Sequence, residues 1–85
     1  MAAAARDYSA ALRVDNANAG ARNNFAMTLL ELGCPVRARE QLQQIDTAAL
    51  SKTFREAVLD TAQRVDTAAE ALAGGDPPRC QTLPD

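Results

Sequence analysis

The sequence predicts an all-α fold of about four helices, and three observations carry that expectation. Sustained alternation of apolar and polar residues is absent and β-branched residues are sparse, which removes the pattern of a half-buried strand. Apolar residues recur instead at three- and four-residue spacing along most of the chain. Finally, Ala4, Tyr8 and Ala11 are echoed 34 positions later by Ala38, Leu42 and Ile45, in the order small, large, small-to-medium. Val14 and Ala48 form the last pair of that echo.

The first helix is expected over Ala2 to Val14, where alanine gives high helix propensity and Ala4, Tyr8, Ala11 and Leu12 share a face. Asp15-Asn16-Ala17-Asn18 stops it, because short polar side chains compete for backbone hydrogen bonds; Asn18 can cap the next helix. That second helix runs from about Ala19 to Leu32, with Phe25, Ala26, Leu29 and Leu30 as its apolar stripe and Gly33 as a left-handed stop. Pro35 opens the third helix, where its missing N–H costs nothing, and Val36, Ala38, Leu42 and Ile45 point inward to about residue 45. After a short connection at 46–50, Ser51 caps a fourth helix reaching about Leu72. Its stripe is Phe54, Ala57, Val58, Ala62, Val65 and Ala69. Gly74-Gly75-Asp76-Pro77-Pro78 ends helical order. Residues 74–85 hold three of the four prolines and little apolar mass, so they read as a disordered tail.

Length and composition bound the function. A chain of 85 residues makes one small domain. Such a chain buries only about 60–65% of its unfolded surface, so its stability margin is thin. A net charge of −2 provides no basic field, and nucleic acid is not the partner expected. No apolar run approaches the roughly 20 residues needed to cross a bilayer, so no membrane insertion is expected. The Met1–Ala5 start lacks the charged and apolar regions of a signal peptide. Any leader therefore lies outside this chain, which leaves cytoplasm and periplasm both open. Cys34 and Cys80 are too few for a disulfide framework, and without histidine a zinc shell would need carboxylates. One thiol in a turn and one in a tail is the simpler reading, a bridging or redox-active pair the sharper one. No metal and no cofactor is expected.

Catalysis has little to stand on. There is no histidine to serve as general base, and no serine or cysteine with a visible activating partner. Gly74-Gly75 precedes prolines rather than a helix, so it is not a phosphate loop. Asp60 with Glu56 and Asp66 with Glu70 are acids at i,i+4 spacing, read as solvated faces balanced by Arg55 and Arg64. The chain is not expected to be an enzyme.

The run from Asn18 to Gly33 (Asn-Ala-Gly-Ala-Arg-Asn-Asn-Phe-Ala-Met-Thr-Leu-Leu-Glu-Leu-Gly) resembles the first helix of a tetratricopeptide repeat. In that frame Ala26 and Ala38 take the small places where the two helices of a unit touch, and Leu29, Gly33, Leu42 and Ile45 complete the pattern. Bulk at Ala26 or Ala38 would push the helix axes apart. Ala4, Tyr8, Ala11 and Asn16 fit the second helix and exit turn of a preceding unit, with Asn16 replacing the usual proline. The resemblance covers roughly residues 4–50: a half unit over 1–18 and a complete unit over about 19–50. Arg22 stands where a bulky apolar residue is usual, and Asp60 where a small one belongs. Residues 51–73 are thus read as a capping helix that closes a helical domain over 1–73.

The resemblance implies a scaffold that holds a peptide or helix of a protein partner, since the first helix of each unit lines a concave groove in that family. Carried onto this chain, the groove positions are Asn23, Asn24, Met27, Leu30 and Glu31. The Asn24 amide can donate and accept one hydrogen bond each with a peptide backbone, and Met27 adds an adaptable apolar contact. Gly20 and Asn23 stand where the chaperone-binding members carry basic residues, so a carboxylate clamp of that kind is not expected. About three units are usually needed for a stable array. The chain is therefore expected to be a piece of a longer array, or to cover Tyr8 and Leu12 with a second copy as a homodimer. Modules of this kind serve in bacterial secretion and pilus assembly, or as regulatory appendages of enzymes.

Overall fold

Four α-helices follow one another in the order α1 (Ala2–Val14), α2 (Ala19–Glu31), α3 (Pro35–Gln43) and α4 (Lys52–Ala71). Short 3-10 turns lie at Thr47–Ala49 and Pro78–Thr82. The structure, a computed structural model, describes residues 2–83, so Met1, Pro84 and Asp85 lie outside the described residues. No strand occurs among the described residues, as the missing alternation predicts.

Helix ends are set by local chemistry. Asn18 accepts the Ala21 amide through Oδ1 at 2.9 Å, and Ser51 accepts the Phe54 amide through Oγ at 3.2 Å. Each satisfies an amide that the first turn of a helix leaves without a partner. At the far end of α2, Gly33 adopts φ +82. There the Cys34 amide donates to Leu29 O at 2.8 Å and the Gly33 amide to Leu30 O at 3.0 Å. This pair of reversed bonds closes the helix only if Gly33 can sit in the left-handed region.

Helix α2 is the centre of the molecule. Helices α1 and α3 pack on it, and α4 packs on both α3 and α2. Phe25 and Leu29 are fully buried and meet Leu42 from α3 and Val58 and Val65 from α4 in one core. Ala26 and Ala38 are both fully buried, as expected of small residues at a close helix crossing. On α4 the inward face is Val58, Thr61, Val65 and Ala69, while Ala57 is exposed.

Helix α1 is rotated from the expected face. Ala5, Ser9 and Leu12 are buried, whereas Ala4 and Ala11 are half-buried and Tyr8 packs against the core from its edge. Alanine on several faces makes the stripe ambiguous, and the one large aliphatic side chain there that packs inward, Leu12, decides the orientation. Leu12 is thus covered within the chain, contrary to the expected bare face. Val14 is 90% exposed and Ala48 is also exposed, so the last pair of the echo does not pack.

Arg22 fills its apolar position without becoming solvated. It is 7% exposed, donates through Nη1 to Gln41 Oε1 at 2.7 Å, and through Nη2 to Asn16 O at 2.9 Å. Its stem supplies the bulk while the guanidinium ties α3 to the α1–α2 turn.

The tail expected to be disordered is docked instead. After α4 the chain turns back so that Asp76 accepts the amides of Val36 and Arg37, at 2.8 and 2.9 Å, at the start of α3. Cys80 is fully buried and forms a disulfide with Cys34, with Cα atoms 5.8 Å apart. Arg37 donates to the carbonyls of Cys80 and Leu83, and Arg79 donates to Leu32 O at 2.8 Å. A segment poor in apolar mass is thereby ordered by a covalent bond, a helix cap and two arginines.

Candidate partner-binding face

The five positions singled out on α2 do not share one environment. Asn24, Met27 and Glu31 are exposed and, at spacings of three and four residues, form one strip along the helix. Met27 is 37% exposed, which leaves a flexible thioether between two polar side chains. The Asn24 carbonyl accepts the Thr28 hydroxyl at 3.0 Å, while its side-chain amide makes no hydrogen bond among the described residues. That amide therefore leaves both its donor and its acceptor open to solvent.

Asn23 and Leu30 lie on the packed side. Asn23 is 8% exposed and its Oδ1 has no hydrogen-bond partner, and Leu30 rests against the core. Their placement follows from helical spacing: Asn23, Ala26 and Leu30 are three and four residues apart, so burying Ala26 carries the other two inward. Of the five positions expected to line a groove, Asn24, Met27 and Glu31 are the exposed ones.

Away from this strip, charged residues mostly brace the fold. Arg39 of α3 pairs with Asp66 of α4 at 3.0 Å, and Arg64 pairs with Asp60 one turn away at 3.2 Å. Arg55 does not balance the acids of α4 but donates to Thr47 O and Leu50 O, holding the connection before that helix. Potential ligand atoms of Cys34, Asp76 and Cys80 lie within 4.8 Å of one another. Both sulfurs are consumed by the disulfide and both Asp76 oxygens accept amides, so this cluster is a structural clasp.

No family model matches the chain, and no curated protein or solved structure is similar to it at a significant level.

Proposed function

We propose that this chain is a non-catalytic, tetratricopeptide-like docking module that holds a peptide or helix of a protein partner against α2. The strip of Asn24, Met27 and Glu31 carries the reading: it is the part of the central helix that α1, α3 and α4 leave open. The buried Ala26–Ala38 pair and the Gly33 turn support the same reading, because they make the α2–α3 hairpin a firm support. The buried disulfide fits an oxidising compartment.

Capture on immobilised protein tests this. A partner should be retained by wild type and by Leu59→Glu, and lost with Met27→Glu or Asn24→Ala. Equal retention by all four proteins would remove the strip from the binding surface.

A second reading, self-association, is favoured by Leu59, which is 55% exposed on α4. It predicts a concentration-dependent mass in sedimentation that Leu59→Glu abolishes.

A further inference from the structure

Cys34 Sγ, Cys80 Sγ and a carboxylate oxygen of Asp76 all lie within 4.8 Å of one another. Ligands of a single zinc ion, each about 2.0–2.3 Å from it, lie within about 4.6 Å of one another. A chain without histidine needs a carboxylate to complete such a shell, and the fold brings Asp76 to the two sulfurs. In the oxidised protein the sulfurs are bonded to each other, so only the reduced protein offers all three groups.

The disulfide does not hold this cluster alone. Asp76 accepts the Val36 and Arg37 amides, Arg37 donates to the carbonyls of Cys80 and Leu83, and Arg79 donates to Leu32 O. None of these bonds involves a sulfur, so they keep Cys80 and Asp76 beside Cys34 when the S–S bond is opened. Each carboxylate oxygen has two lone pairs and gives one to an amide, which leaves the other for a metal. The two amides then orient the carboxylate as partners of a metal ligand do. Two thiolates and a carboxylate around a divalent ion leave one negative charge, at the start of α3, where the helix dipole favours it. Both cysteines are fully buried and Asp76 is half-buried, so the ion and a water as fourth ligand reach the cluster from the Asp76 side.

We propose that the reduced chain binds one zinc-type divalent ion between Cys34, Asp76 and Cys80, with the metal replacing the disulfide as the clasp of the tail. A dithiol gives two electrons and two protons to the S–S bond and itself becomes a disulfide. The two thiols formed release their protons as the ion binds.

Zinc binding to the full chain, reduced and then freed of reductant under nitrogen, tests the proposal by competition with a chromophoric chelator. One ion per chain should bind with release of about two protons. Co2+ in its place should give thiolate-to-metal charge-transfer absorption. Zinc should also slow the amide exchange over residues 76–83 that reduction speeds up, and the oxidised protein should not bind it. Asp76→Ala should weaken binding more than about tenfold, the loss typical of a residue that merely hydrogen-bonds to a ligand. Asp76→Cys lacks the carboxylate cap but restores an anionic ligand, and should recover the affinity; a residue that only docked the tail would not be rescued in this way. No binding by the reduced chain, equal binding by the oxidised protein, one ion per two chains, undiminished affinity in Asp76→Ala, or Asp76→Cys as weak as Asp76→Ala would overturn the proposal.

Discussion

Asp76 caps helix α3 from 40 residues downstream, its two carboxylate oxygens accepting the Val36 and Arg37 amides at 2.8 and 2.9 Å. The residue at the cap position itself, Cys34, makes no side-chain cap bond. A distant carboxylate therefore does the work normally done by a neighbour, and it adds a negative charge where the helix dipole favours one. Asp76→Ala should cost about 1–2 kcal/mol, read as a lower urea midpoint. Asp66→Ala, which removes an exposed ion pair, should cost no more than about 1 kcal/mol. Equal losses in the two variants would mean that the cap is unimportant.

The disulfide acts beside that cap. Cys34 and Cys80 are 46 residues apart, and closing a loop of that length stabilises by about 4 kcal/mol in the chain-entropy view. Against the few kilocalories typical of a small domain, this is a large share. Reduction should shift the denaturation midpoint downward and speed amide exchange over residues 76–83. The double variant Cys34→Ala/Cys80→Ala should start from the reduced midpoint and ignore the reductant. An unchanged midpoint on reduction would count against the clasp.

Gly33 is constrained twice. Its φ of +82 disfavours any side chain, and an added Cβ would lie 2.5 Å from Arg79 Nη2. Gly33→Ala should lower stability by about 1 kcal/mol or more through strain alone, and should also displace Arg79 from the Leu32 carbonyl. Gly74→Ala, with nothing within 4 Å of its added carbon, is the matched control and should change stability little.

What the sequence disclosed and what it withheld divide along the range of the interactions. The Asn18 and Ser51 caps, the Gly33 stop and the Pro35 start are local, and each is read from a few neighbouring residues. The facing of α1 was ambiguous because alanine marks no side of a helix strongly. The tail was illegible for a different reason. Asp76 and Cys80 are ordered by partners at least 39 residues away, and nothing in a Gly-Gly-Asp-Pro-Pro run announces a remote helix cap. Arg22 looked like a departure from an apolar pattern, and only the positions of Gln41 and Asn16 explain how it is buried. Of the five positions singled out on α2, Asn23 and Leu30 could have been assigned inward from their spacing to Ala26.

Ala26 of α2 and Ala38 of α3 are both fully buried in the core. Ala38→Leu should cost about 1–3 kcal/mol by overpacking a fully buried position. Thermal unfolding of the single variant checks this, and a neutral result would place the two helix axes farther apart than the buried methyl groups indicate.

Photo-crosslinking from position 27 probes the proposed docking strip most directly. With a photoreactive residue in place of Met27, irradiation in native extract should give an adduct with a different protein, and the same residue in place of Leu59 should not. Adducts formed only from position 59, or only between copies of this chain, would contradict a partner held along α2.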